Sequence, residues 1–268
     1  MLLPLDGRNL YYDFVGPEAG PVVCFAHSLA ADGGMWAEQL PALLGAGFRV
    51  LRIDMRGHGG SGAVPGDYTM EGLADDVAAV IAALGIAQVH YVGLSIGGMI
   101  GQSFVLKHGL GVRSLMLCDT HAASMPNAGE VWAPRIAAVK QAGSLLPIAD
   151  ATMERWLTDR YKQANAGRWK QIRDMVVGTT PQGYLGCVAA IQDYDFRSRL
   201  PSIKAPTLVV CGADDPGAPP SESRQIARLL PNARYEEIAD ARHLPNIEHP
   251  EIFNRLLLDW LMSIGPGK

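Results

Sequence analysis

Residues 89–98, Val89-His90-Tyr91-Val92-Gly93-Leu94-Ser95-Ile96-Gly97-Gly98, constrain this chain more than any other stretch. Residues 89–94 are largely apolar and β-branched and read as a short buried strand, while residues 99–107 read as a helix. Between them Ser95 stands in a G-x-S-x-G pattern. A serine on so sharp a strand-to-helix turn is held in a strained backbone conformation, with its hydroxyl raised above the sheet. Glycines flank it because side chains at those places would collide with the turn. The hydroxyl also meets a helix N-terminus, whose unpaired N–H groups favour negative charge. A nucleophile that generates an oxyanion belongs there. The same letters could spell a Gly/Ser-rich loop, but the strand before, the helix after and the partners below argue for the elbow.

The rest of the chain alternates around this unit. Residues 10–15, 22–26, 48–53, 112–118, 207–211 and 234–238 read as strands. Helices are expected over 36–44, 70–84, 222–230 and 250–262, the second with Leu73, Val77, Val80, Ile81 and Leu84 on one stripe. Continuous apolar strands separated by helices predict an α/β fold, a mostly parallel sheet covered by helices on both faces. The alternation lapses after Thr120. From Ser124 to about Gln192 no clear strand is present, and residues 131–141, 151–161 and 169–177 are helical in composition. This predicts a core in two parts, 1–123 and 201–268, around an inserted helical cap over 124–200.

A chain of 268 residues that is 48% hydrophobic and 19% charged can bury one large α/β core. Its formal net charge of -4 offers no basic field for nucleic acid and no polybasic patch for a membrane surface. Met1-Leu2-Leu3-Pro4-Leu5-Asp6 lacks the basic and apolar regions of a secretory signal, and no apolar run is long enough to span a bilayer. Cys24, Cys118, Cys187 and Cys211 are widely spaced, as expected of buried free thiols in a reducing cytoplasm. The seven histidines show no metal-ligand spacing. The expectation is a cytoplasmic protein acting on a small molecule, without metal or cofactor, its oligomeric state open.

A serine hydroxyl is a weak nucleophile until a base takes its proton, and an acid must orient that base. Where a nucleophile elbow is used, the partners follow in the order Ser, Asp or Glu, His. Two loops at strand ends supply them: Gly212-Ala213-Asp214-Asp215, and Asp240-Ala241-Arg242-His243-Leu244-Pro245. His243 is the expected base, and His249, just before the last helix, a surface or cap residue. Asp215 is the favoured acid, with its neighbour Asp214 and the strand-end Asp119 as alternatives. The oxyanion needs two preorganised N–H donors. One is expected from Ile96, directly after the serine, and one from Leu29 in the loop after the 22–26 strand. His27 in that loop is read as an anchor, and His58 as a structural residue in a glycine turn.

Gly93-Leu94-Ser95-Ile96-Gly97-Gly98, Asp54-Met55-Arg56-Gly57-His58-Gly59 and Asp240-Ala241-Arg242-His243 resemble the α/β-hydrolase family along nearly the whole chain. Within it the likeness is to 3-oxoadipate enol-lactonases. It continues through Leu117-Cys118-Asp119-Thr120 and into the cap at Glu130-Val131-Trp132-Ala133-Pro134-Arg135 and Arg155-Trp156-Leu157-Thr158. Two departures stand out: Ile96 where methionine is usual, and His27-Ser28-Leu29-Ala30 in place of Asn-Ser-Leu-Gly or a His-Gly form. Ala30 is expected to narrow the oxyanion loop. The resemblance implies a serine hydrolase of esters or lactones with a small acidic enol-lactone as substrate. Its rivals are a short-chain carboxylesterase, a C–C hydrolase or cofactor-free perhydrolase with the same triad, and a non-catalytic ligand sensor. Trp132 and Arg135, three residues apart, share one helix face and are the expected substrate-binding pair, with Pro134 in that helix's first turn. Trp132 packing the cap onto the core, with Arg135 as a surface charge, is the alternative.

Overall fold

The computed structural model describes residues 1–5, 7–109 and 111–265, so the last three residues of the 201–268 segment lie outside the described residues. Eight strands are found among them: β1 (Leu2–Leu5), β2 (Arg8–Val15), β3 (Val22–Ala26), β4 (Arg49–Ile53), β5 (Val89–Leu94), β6 (Val112–Cys118), β7 (Thr207–Gly212) and β8 (Ala233–Ile238). They form one sheet in the order β1-β2-β4-β3-β5-β6-β7-β8. The first two strands run antiparallel to their neighbours and the remaining pairs are parallel. β1 goes beyond the sequence expectation. It is four residues of half-exposed edge carrying Pro4, too short and too wet to announce itself by periodicity.

β5 and β7 are buried along their whole length, as expected of central strands covered on both faces. Their C-terminal ends, with that of β6, open on the same edge of the sheet, where ligands collect in open α/β folds. The core helices are α1 (Leu40–Gly45), α2 (Met70–Ala83) and α3 (Ile96–His108), joined after β7 by three more described below. Between β6 and β7 lie α4 (Ala128–Ala142), α5 (Leu146–Trp156), α6 (Asp159–Ala164), α7 (Ala166–Gly178) and α8 (Pro181–Gln192). Then follow α9 (Pro220–Leu229), α10 (Pro245–Glu248) and α11 (Pro250–Ser263).

Three expectations need correction. The helix expected over 36–44 is split into a 3-10 turn, Gly33–Trp36, and α1, because Asp32 caps the turn by accepting the Gly34 N–H at 2.7 Å. The helix expected over 151–161 is broken at Leu157, which is extended, and Thr158 caps a new helix by accepting from the Tyr161 N–H. Pro134 does not lie in a first turn: α4 starts at Ala128, so the proline falls inside it and withholds the N–H that the Glu130 carbonyl would otherwise accept.

The helices between β6 and β7 are tied to the core by polar contacts. Glu248 Oε1 accepts from both the backbone N–H and the hydroxyl of Thr158, at 2.7 and 2.6 Å, while Oε2 accepts the Arg242 N–H at 2.6 Å. Arg168 forms a forked pair with Glu38 and also donates to the Gly34 carbonyl. The Thr180 hydroxyl and N–H both donate to the Gly57 carbonyl. All four cysteines are buried and free. Among the described residues no helix is long and apolar enough to cross a membrane.

Candidate active site

Ser95 joins β5 to α3 with φ 59° and ψ -121°, a conformation seldom adopted by a residue with a side chain. The surroundings over-determine it. The Ser95 N–H donates to the Cys118 carbonyl at 2.9 Å, and its own carbonyl accepts the Thr120 hydroxyl at 2.7 Å and the Gly98 N–H at 2.9 Å. A Cβ on Gly93 would collide with the Gly97 carbonyl, and one on Gly97 with the Ala26 carbonyl, so helix α3 can approach the sheet only on glycine. Tyr91 donates its hydroxyl to the Gly97 carbonyl at 2.9 Å and locks the turn from below. The Ser95 side chain makes no cap hydrogen bond to α3, which leaves its hydroxyl available for chemistry.

His243 and Asp215 reach this place from the ends of β8 and β7. Their bond, His243 Nδ1 to Asp215 Oδ2, measures 2.7 Å, and the Asp215 side chain is wholly buried. Burial alone would push the Asp215 carboxyl up, but the charge and hydrogen bond of His243 and the Gly217 N–H outweigh it and hold the carboxyl below its usual range. The Trp156 ring stacks near the imidazole, 6.4 Å between centroids, and the Leu244 N–H donates to the Trp156 carbonyl. Asp214 is exposed and lines a separate cleft with Glu154, Asp159 and Arg242. Asp119 lies beside Asp215 rather than facing the imidazole by a hydrogen bond. His249 donates to the Asp240 carbonyl and caps α11.

Leu29 lies in the loop after β3 and lines the same cavity as Ser95, whereas Ile96 is fully buried in the first turn of α3 behind it. An N–H in that first turn has no partner within the helix. The loop is anchored by His27, whose Nε2 accepts the Met55 N–H at 2.9 Å, so Nδ1 carries the proton given to the Ser28 carbonyl. His58 is buried against it, and burial first, then the neighbouring His27, pull its pKa down to about 3. Asp54 holds both the Gly33 and Gly60 N–H groups, so the Asp54–Gly59 motif supports the loop from behind.

Ala30 sits in that loop with φ 63°, where a Cβ is strained. Ala30→Gly should relieve the strain and lose part of the gain to unfolded-chain entropy. The net expectation is about 0.5–1 kcal/mol of added stability, or a Tm higher by about 1–3 °C in a thermal melt. A lower Tm would mean that the buried methyl contributes more by packing than it costs in strain.

A cavity of about 300 Å³ joins these groups and suits a small molecule. Ser28, Leu29, Ser95, Asp215 and His243 line it, and so do Trp132 and Arg135. The Arg135 guanidinium lies over the Trp132 ring, 4.9 Å from its centroid. Sequence reasoning missed Arg155, which lines the cavity from α5 with Thr152, beside Tyr184 of α8. Its guanidinium donates to the Thr152 hydroxyl at 3.0 Å, and burial first, then the charge of Arg135, pull its pKa down. Neither arginine has a salt bridge to a carboxylate among the described residues. Two guanidinium groups thus face one pocket. The sequence signal was the 20-residue separation of two arginines in helical segments, which no periodicity relates.

Asp119, Asp215 and His243 form the one grouping among the described residues whose ligand atoms lie close enough, within 4.8 Å, to suit a metal ion. Two members of that grouping, the imidazole and Asp215, are joined to each other at hydrogen-bond distance.

A family model described as the α/β hydrolase fold matches residues 21–250, and the chain belongs to that family. The chain is similar to 3-oxoadipate enol-lactonase 1 of Acinetobacter baylyi, 31% identical over 264 residues that cover 98% of this chain and 97% of that one. Among solved structures, the enol-lactonase from Burkholderia xenovorans LB400 is similar at 36% identity and a TM-score of 0.92, covering 97% and 99% of the two chains. A thermophilic esterase from Thermogutta terrifontis, solved with malate bound, is similar at 31% identity and a TM-score of 0.90, covering 97% and 95%.

Proposed function

We propose that the protein is a serine hydrolase of small carboxylic esters or lactones, working through an acyl-enzyme. Ser95 attacks the carbonyl carbon as His243 takes its proton on Nε2. Asp215 holds the imidazole through Nδ1, and the N–H groups of Leu29 and Ile96 receive the oxyanion. Collapse breaks the acyl–oxygen bond, and the leaving alkoxide takes the proton from His243. Water then attacks the acyl-enzyme by the same route and frees Ser95. The observation that carries this reading is the 2.7 Å bond between His243 and a buried Asp215, in the cavity that Ser95 also lines. A fluorophosphonate probe combined with turnover on p-nitrophenyl esters and simple lactones tests it. Labelling without turnover would make the chain a ligand sensor instead.

The substrate reading is a small acidic enol-lactone, with segment 124–200 as the cap that recognises it. Trp132 offers a flat wall and Arg135 a fork for a carboxylate, with Arg155 beside it. The named enol-lactonase relatives agree with that chemistry, and the malate held by the related esterase is likewise a small acid. A charge-assisted hydrogen bond to a carboxylate contributes about 1.5–3 kcal/mol. Arg135→Ala should therefore raise KM for an anionic lactone about ten- to a hundredfold while barely changing hydrolysis of a neutral ester. Equal effects on both substrates, or none on either, would leave a short-chain carboxylesterase as the better description. The largely apolar cavity and the esterase relative favour that second reading.

A further inference from the structure

Asp119 ends β6, the strand beside β7, whose end carries Asp215. Its backbone is held at φ 45° and its side chain is completely buried. Oδ1 accepts the Gly212 N–H at 2.8 Å, but Oδ2, equally buried, accepts no hydrogen bond. Asp119 and Asp215 each bring a carboxylate oxygen into the same 4.8 Å cluster with His243.

Two carboxylates so close and so dry cannot both stay ionised. The charge remains where the donors are. Asp215 accepts from His243 Nδ1 on Oδ2 and from the Gly217 N–H on Oδ1, each at 2.7 Å, while Asp119 has the Gly212 N–H alone. A proton on Asp119 Oδ2 removes the second charge and turns the orphaned acceptor into a donor.

We infer that Asp119 is a neutral carboxylic acid whose O–H is donated to the Asp215 carboxylate, so that the pair carries one negative charge and Asp215 is pinned toward the imidazole. Asp119 is then a positioning residue, and the inference rests on Asp215 being the acid of the triad. Burial first, then the charge of Asp215, raise the Asp119 carboxyl well above its usual range, against the Gly212 N–H. Of the other groups facing it, His243 gives its hydrogen bond to Asp215, Glu248 raises it further, and the Cys118 and Cys211 thiols are themselves pushed up by burial and so uncharged. Asparagine can imitate the arrangement, its carbonyl taking the Gly212 N–H and its amide donating to Asp215. It also tolerates the left-handed backbone.

The test combines infrared spectroscopy of the whole protein with kinetics of Asp119→Leu, Asp119→Asn and Asp215→Asn. At neutral pH the wild type should show the carbonyl stretch of a protonated carboxylic acid, shifted by deuterium exchange and missing from Asp119→Asn. Asp119→Leu should lower kcat about ten- to a hundredfold with little change in KM, and Asp119→Asn should recover most of that loss. The inference is overturned by a wild type without the band, by Asp119→Asn losing as much as Asp119→Leu, or by Asp119→Leu at full kcat. If the leucine variant does not fold, the band and the asparagine variant still decide. An undiminished kcat in Asp215→Asn would instead overturn the triad assignment on which the inference rests.

Discussion

Ser95→Ala should abolish hydrolysis, lowering kcat by about 10⁶ if the residue is the nucleophile of an acyl-enzyme mechanism. The loss should come without cost to the fold. The elbow is held by backbone bonds to Cys118 and Gly98, by the Thr120 hydroxyl and by Tyr91 beneath it, and the serine side chain supplies none of these. Alanine at φ 59° carries the same Cβ strain as serine, so stability should change by less than about 0.5 kcal/mol. Circular dichroism, a thermal melt and turnover on a p-nitrophenyl ester measure all three quantities. A variant with wild-type spectra and activity within tenfold of wild type would remove the elbow from the chemistry.

The elbow was legible in the sequence because its requirements are local. A buried strand, two glycines under steric compulsion and a helix start all fall within about ten residues, and each leaves its own mark. The loops after β7 and β8 were marked in the same local way, since their Gly, Asp and Pro residues set them apart from the strands before them. What the sequence left open was direction. Asp119, Asp214 and Asp215 all end or follow strands, and nothing in their neighbourhoods says which carboxyl faces the imidazole. The register of β6 on β7 and the turn after Gly212 bury Asp215 at hydrogen-bond distance from the imidazole, leave Asp214 in solvent and set Asp119 alongside. The same holds in segment 124–200. Trp132 and Arg135 could be paired because one helix relates them, whereas Arg155 joins them only because α5 packs against α4.

The polar ties between that segment and the core also lay beyond periodicity. Glu248 carries no mark in the sequence, yet its carboxylate fastens Thr158 and the backbone of Arg242, one residue before His243. Segment 124–200 and the loop carrying His243 therefore share a carboxylate, and the Trp156 ring lies beside the imidazole close by. A helix expected to run through 151–161 would have carried Thr158 past this contact. Its break at Leu157 turns the chain so that the threonine can both cap α6 and meet Glu248.

Asp215→Asn should lower kcat by about 10³–10⁴ with KM changed far less. The asparagine amide can keep the Gly217 N–H on its carbonyl oxygen, but it then presents N–H groups to His243 Nδ1. That forces the proton of the neutral imidazole onto Nε2, the atom that must be free to accept from Ser95. The imidazolium formed in the transition state also loses its buried counter-charge. Stability should respond much less than activity, because the substitution removes a buried charge together with its pairing. Asp214→Asn, at an exposed carboxyl outside the cavity, should stay within about threefold of wild type, an energy of about 0.6 kcal/mol. Steady-state kinetics of the two neighbouring variants, measured on one ester at one pH, separates them. A crippled Asp214→Asn beside an active Asp215→Asn would mean that the loop after β7 turns its other carboxyl to the imidazole during turnover, and the triad would have to be redrawn around it.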